Sequence, residues 1–176
     1  MEQETGMINK RMGLLSVLWS GIKLSFLQAA WNFERLQNIG FLFSVMNVLK
    51  SVYKDDREAL LRAINRHLSF FNTNIFFASA VLGVIARLEE EVDDKNPEQK
   101  NREIENTKIG IMGPLAAIGD SLFYFGIKPL AMLAGGGIVI LAGYTVEGLI
   151  WAAAVSIALF NLPKIFIKYY LLIKAY

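Results

Sequence analysis

Charge-free stretches at 68–86, 109–119, 129–146 and 148–163 are separated by charged ones, and this alternation is the first guide to the architecture. Several approach the roughly 20 apolar residues that a helix needs to cross a bilayer. Each is short or carries Asn, Gly or Pro, which fits a polytopic bundle of tilted, broken or re-entrant helices better than a single anchor. The predicted fold is all-α, a multi-pass integral membrane protein with residues 1–176 in one domain. Residues 9–43 read as an N-terminal amphipathic helix or helix pair, with Leu14, Leu15, Leu18, Ile22 and Phe26 at helical spacing and Lys10, Arg11 and Lys23 between them. This region is expected to lie in the membrane interface before entering the bundle. Residues 50–66 and 87–108 read as solvated charged segments. The first places Glu58 four positions before Arg62; the second opens on Glu89, Glu90 and Glu91 and is broken at Asn96 and Pro97. An apolar bundle is expected from residue 109 onward.

Composition supports the membrane reading. The chain is 54% hydrophobic and 12% aromatic, and its 19% of charged residues lies below the roughly 25% usual in soluble domains. That balance argues against a soluble monomeric enzyme. With no cysteine and one histidine, neither a disulfide framework nor a metal cluster is expected. A net charge of +2, with no continuous basic run, argues against nucleic acid as a partner. Glu2 and Glu4 make the start acidic where a secretory signal would be basic, so the N-terminus is expected to be retained.

Three places along the chain carry candidate chemistry. In 108–123, Asp120 sits in an apolar segment punctuated by Gly110, Gly113, Pro114 and Gly119, where a helix is expected to break. A carboxylate at membrane depth is by default a functional-site hypothesis, and interrupted hydrophobic segments point to transporter binding sites. The alternative is a glycine-rich soluble turn with a helix-capping Asp. In 25–40, helical spacing of about 100° per residue would put Gln28, Trp31, Asn32, Glu34, Arg35 and Asn38 on one arc of roughly 160°. Amides and a carboxylate beside an aromatic face suit a carbohydrate; the competing reading is an interfacial Trp31 with interfacial charges. In 66–74, His67 invites a phosphohistidine or proton-relay role, but beside Arg66 with no carboxylate near it in sequence it reads better as a helix-end or interfacial histidine. Asn72, Asn74 and Asn161, within apolar stretches, need partners for their amides.

Residues 31–41 (WNFERLQNIGF), 67–74 (HLSFFNTN) and 113–123 (GPLAAIGDSLF), in that order and spacing, closely resemble the IID membrane component of mannose-type sugar phosphotransferase systems. The likeness runs from about residue 14 to the end of the chain. It implies a bacterial inner-membrane subunit that works with a IIC subunit to carry a hexose or amino-hexose, with phosphate supplied by phosphohistidines on soluble IIA and IIB proteins. The subunit would then be a non-catalytic or accessory member of a hetero-oligomer in the lipid bilayer, with no cofactor and no catalytic residue of its own. His67 would not be the phosphorylated residue. Trp31, Asn32, Glu34, Gln37, Asn72 and Asp120 are the substrate-binding candidates, and Gly113, Pro114 and Gly119 the structural break. The resemblance also implies further hydrophobic segments beyond the point matching Tyr176, which makes this chain short at its C-terminus. The alternative function is a receptor, regulator or assembly factor that keeps the fold without transporting.

Overall fold

The computed structural model describes residues 13–91 and 96–176, so Lys10, Arg11 and the side chain of Leu14 lie outside the described residues. Helix α1 (Leu14–Lys23) ends in a short 3-10 turn, Leu24–Phe26. Val17, Ser20 and Leu24 face the protein, whereas Leu15, Trp19, Ile22 and Phe26 are exposed. The predicted apolar stripe is present but marks the outer face, so the helix is apolar on both flanks, as suits protein on one side and lipid on the other.

Helix α2 (Asn38–Val52) buries Phe41, Val45, Val48 and Leu49. Asp56 then starts helix α3 (Arg57–His67) by accepting the Ala59 backbone N–H at 2.9 Å. The expected Glu58–Arg62 pair lies outside at 3.9 Å, but α3 is not solvated all round: Ala59, Ala63, Arg66 and His67 are buried. The apolar run 68–86 is not one spanning helix. Its first ten residues, 68–77, form an irregular segment, and only then does helix α4 (Ala78–Glu91) begin. Val81, Leu82, Ile85 and Ala86 of α4 join Phe41, Val45 and Leu49 in the core.

Helix α5 (Pro97–Asp120) starts with Pro97 in its first turn, where proline has no helical bond to lose, and with Asn96 accepting the Gln99 N–H at 3.2 Å. The break expected at Gly113 and Pro114 does not occur: α5 runs through both. Pro114 removes one backbone donor, while the turns on either side keep theirs and the helix propagates cooperatively. The irregularity falls downstream, where Ser121–Ile127 takes the wider turns of a π-helix before helix α6 (Lys128–Leu141). Residues 142–145 reverse the chain, with Gly143 at φ 65° in the left-handed region that glycine enters without strain. Helix α7 (Val146–Ala175) returns along α6 and then packs against α4 and α1.

Pro97–Leu141 and Val146–Ala175 are each long and apolar enough to cross a membrane. At 1.5 Å per residue α7 is roughly 45 Å long, about a bilayer with its headgroups. Only 11% of each apolar window is buried in the protein, so most of that hydrophobic surface faces outward.

Candidate functional site

The three segments singled out from the sequence meet in one place, with 68–77 in the middle. Residues 27–37 form a loop, not the helix whose arc would have aligned Gln28 to Asn38. Local side-chain bonding and a distant backbone outcompete the helical pattern there. Asn32 Oδ1 accepts the Arg35 N–H at 2.8 Å, Asn32 and Leu36 exchange backbone bonds at 3.0 Å, and Leu36 sits at φ 54°. The Phe71 N–H donates to the Arg35 carbonyl at 3.3 Å, and the Gln37 N–H donates to the Phe71 carbonyl at 2.9 Å. Phe71 stacks on Phe41 with ring centroids 4.1 Å apart.

Side chains complete the knot. Asn32 Nδ2 donates to Asn38 Oδ1 at 2.8 Å, and Asn38 Nδ2 donates to the Leu68 carbonyl at 2.8 Å. Gln37 Oε1 accepts the Thr73 N–H at 3.0 Å, and Thr73 Oγ1 donates to the Met112 carbonyl of α5 at 2.8 Å. Asn74 uses both ends of its amide. Its oxygen accepts the Phe76 N–H at 3.0 Å, turning the chain into α4, and its nitrogen donates to Asp120 Oδ1 at 2.8 Å. Gly119 allows this approach: a Cβ there would lie 2.5 Å from Asn74 Cβ and Cγ. Phe123, fully buried, meets Phe76 edge-on at 4.6 Å.

The candidate residues fall into two groups. Asn32, Gln37 and Gly119 are inside the knot, whereas Trp31, Glu34, Asn72 and Asp120 are exposed at its margin. Trp31 meets Phe33 edge-to-face at 4.9 Å, and Glu34 pairs with Arg35 at 3.3 Å. Gly113 and Pro114 are exposed on α5. Asn38, read from the sequence only as part of a polar helical arc, bonds instead to Asn32 and to the Leu68 carbonyl, and Thr73, which links Gln37 to α5, gave no separate signal in the sequence.

A second polar cluster lies beneath the knot, where the sequence suggested solvated charge. Glu89 of α4 is fully buried and accepts from the Tyr53 hydroxyl at 2.6 Å, from Arg66 Nε at 2.7 Å and Nη2 at 2.6 Å, and from His67 Nε2 at 2.8 Å. Lys108 Nζ, also buried, donates to the Arg66 carbonyl at 3.0 Å and to Ser69 Oγ at 2.6 Å. His67 does end a helix, but in the interior and against a carboxylate that lies 22 residues away in sequence. Burial pushes its imidazole below the ordinary value, outweighing the attraction of Glu89. The neutral ring donates from Nε2; its Nδ1 is buried with no hydrogen-bond partner among the described residues, as a bare lone pair can be more cheaply than an N–H. Burial pushes the Glu89 carboxyl up, but the bonds from His67 and Arg66 outweigh it and hold the group down at about 2. Burial likewise opposes the charge on Arg66, yet the contacts with Glu89 and Tyr53 raise its pKa. The missed signal was helical phase. Glu89 falls four residues after Ile85 on the buried face of α4, and Lys100 and Lys108 flank Ile104 on the buried face of α5.

Comparison with known proteins gives the same family from independent directions. The model of the PTS system mannose/fructose/sorbose family IID component matches residues 13–176. The PTS system mannose-specific EIID component of Escherichia coli (strain K12) is 36% identical over 149 residues, which is 85% of this chain and 50% of the relative. The fructose permease IID component of Bacillus subtilis (strain 168) is 31% identical over 161 residues, 92% of this chain and 56% of the relative. A chain in the cryoEM structure of the mannose transporter ManYZ with microcin E492 (MceA) superposes with a TM-score of 0.80 at 32% identity, covering 94% of this chain and 58% of that one. The chain spans about half the length of the curated relatives it matches.

Proposed function

This chain belongs to the mannose/fructose/sorbose family of phosphotransferase-system IID components, and on that premise we propose that it is a membrane subunit taking up and phosphorylating a hexose or amino-hexose together with a IIC subunit. The reading places it as a multi-pass protein of the bacterial inner membrane, in a hetero-oligomer served by soluble phosphorylated IIB and IIA proteins. Group translocation needs the sugar held in one geometry while a phosphohistidine on another chain delivers its phosphoryl group. Positioning of that kind supplies most of the catalysis in phosphoryl transfer.

The observation that carries the proposal is the meeting of three separate segments around 68–77, which holds the 27–37 loop through Gln37 and Thr73 and reaches through Asn74 to Asp120, whose exposed carboxylate ends α5 just where the backbone widens into π turns. Asn74 occupies one carboxylate oxygen. The other can accept a sugar hydroxyl, the exposed amide of Asn72 and carboxylate of Glu34 offer further hydroxyl partners, and Trp31 offers a ring for the apolar face of the pyranose. Gln37 and Asn32 act by holding the loop that presents Trp31 and Glu34.

Uptake of labelled hexose by cells making the complete IIA, IIB, IIC and IID set tests this. Asp120→Asn should reach the membrane at the parental level and abolish or sharply reduce uptake; uptake at the parental rate would refute the role. If the parental set assembles but carries no hexose or amino-hexose, the transport reading itself fails and the non-transporting alternative stands.

A further inference from the structure

Two lysines on α7 occupy an unusual place. Lys164 and Lys168 lie one turn apart on an apolar helix long enough to cross a membrane, and they are only 8% and 7% exposed. Both line a cleft of about 300 Å³ with Ser25, Ile75, Phe76, Asn161 and Ile165. Lys168 Nζ donates to Ser25 Oγ at 2.7 Å, and Lys164 Nζ reaches Asn161 Oδ1 at 3.4 Å and lies over the rings of Phe160 and Phe76. Among the described residues no carboxylate pairs with either ammonium, and Lys128, at the start of α6, is near enough to repel Lys164. Each ammonium carries three N–H donors, and a buried charge is expensive unless it is paired. Desolvated cations with unused donors, lining one open cleft, call for an anion.

We propose that this cleft binds a phosphate group, presented by an anionic phospholipid headgroup or by a free phosphate ester. Ammonium groups at i and i+4 lie on one helix face at a spacing that a tetrahedral oxyanion can bridge, and phosphate offers more oxygens than a carboxylate to the remaining donors. The cleft is also far larger than one carboxylate, and Ile75, Phe76 and Ile165 line it with apolar surface fit for the carbon framework beside the phosphate. Its place agrees. Ser25 follows directly on α1, whose outer face carries exposed Leu15, Trp19 and Ile22. Basic pockets between membrane helices are suited to anionic headgroups. The cleft borders the knot around Asp120 through Phe76, but its two cations belong to α7, and the proposal does not depend on which sugar, if any, is carried.

The test uses the full-length complex, purified and reconstituted into nanodiscs of phosphatidylcholine alone or of an equal mixture with phosphatidylglycerol, with bound lipid counted by native mass spectrometry. Parallel titrations with inorganic phosphate and a hexose phosphate are followed by phosphorus NMR in detergent. The wild type should retain phosphatidylglycerol in preference to phosphatidylcholine, whose choline the lysines repel, or should bind the free phosphates; the two arms distinguish the sources. Lys164→Gln with Lys168→Gln should weaken that binding by roughly ten- to fiftyfold, the scale of two ammonium contacts to an anionic group. Lys168→Arg should retain it. If the double variant fails to assemble, the wild-type lipid preference and phosphate titration still decide. A wild type that shows neither preference for phosphatidylglycerol nor phosphate binding, or a double variant that binds as the wild type does, would overturn the proposal.

Discussion

Replacing Glu89 by Gln removes one charge and almost no volume, yet it should be among the most damaging single changes in this chain. The carboxylate accepts four hydrogen bonds, from Tyr53, from two nitrogens of Arg66 and from His67, and it is fully buried. An amide can accept at only one of its two ends. If its NH2 replaces Oε1 it faces Arg66 Nε and His67 Nε2; if it replaces Oε2 it faces Arg66 Nη2 and the Tyr53 hydroxyl, of which only the hydroxyl can turn to accept. Either way a guanidinium is left buried without its counter-charge, a loss that costs about 3–5 kcal/mol. At roughly 2–4 °C per kcal/mol for a chain of this size, the melting temperature of the purified complex, followed by circular dichroism, should fall by about 6–20 °C. Adding Arg66→Met should recover much of the loss by removing the stranded charge. A drop smaller than about 1 kcal/mol, the scale of an exposed pair, would refute the account of a buried, fully engaged carboxylate.

The same cluster sets a pH signature. His67 titrates near 6.5 in an unfolded chain but lower when folded, chiefly because it is buried. As pH falls through 6.5 the unfolded state therefore binds more protons, and stability declines. Glu89 works in the same direction lower down: it is near 4.5 unfolded and about 2 folded, so its contribution is complete above 4.5 and is lost as pH falls toward about 2. In Glu89→Gln the lower window should vanish. The upper one should deepen, because His67 loses the anion that favours its protonated form. A wild type equally stable from pH 7 to pH 3 would contradict the placement of both groups.

Gly119→Val should lower sugar affinity in an assembled complex, since its side chain must displace Asn74 from Asp120; complex yield and affinity measured on one preparation separate this from a packing defect, and unchanged affinity would rule it out. Thr73→Val removes the hydroxyl bond to the Met112 carbonyl at nearly constant volume and should cost about 1 kcal/mol, read as a melting shift of about 2–4 °C. Glu34→Gln should change stability by less than about 0.5 kcal/mol, because its pair with Arg35 is exposed, yet reduce sugar uptake if Glu34 touches substrate. Parental uptake by that variant would remove Glu34 from the site.

What could be read from the sequence was whatever local pattern controls. The charge-free stretches 109–119, 129–146 and 148–163 announced apolar membrane segments but read as too short or interrupted for long spans, whereas Pro97–Leu141 and Val146–Ala175 are each long enough to cross; Glu58 four residues before Arg62 announced an exposed helix face. The loop at 27–37 could not be read that way, because its helical alternative was defeated by Phe71, more than thirty residues downstream. Pro114 misled in the opposite sense: as a residue type it predicts a break, but α5 stays helical through it, as long apolar helices can when neighbouring groups re-satisfy the freed carbonyl. The Glu89 cluster joins α3, α4 and α5 with Tyr53 at the end of α2, so no window along the chain contains it. Only its phase was visible, since Glu89, Lys100, Lys108, Lys164 and Lys168 all fall where their helices turn inward.

That phase gives the molecule an order opposite to that of a soluble protein. Phe125, Leu133 and Leu141 are 81%, 72% and 90% exposed, whereas Glu89 and Lys108 are 0% exposed. In water each square ångström of such apolar surface forfeits roughly 25 cal/mol, and every buried charge adds a desolvation cost. In a bilayer the first cost disappears, and the second becomes a requirement that polar groups find partners inside the protein. The charges of the Glu89 cluster, the knot and the cleft divide by how that requirement is met. Arg66, Glu89 and Lys108 are satisfied within the chain, across helices that must be assembled together, and so they fix the fold. Among the described residues, Asp120 has one amide on one oxygen, and Lys164 and Lys168 each have one protein oxygen in reach. Removing a group of the first kind should unfold the protein, and removing one of the second should leave it folded and unable to bind. The two classes are therefore distinguishable by measuring stability and ligand binding on the same variants.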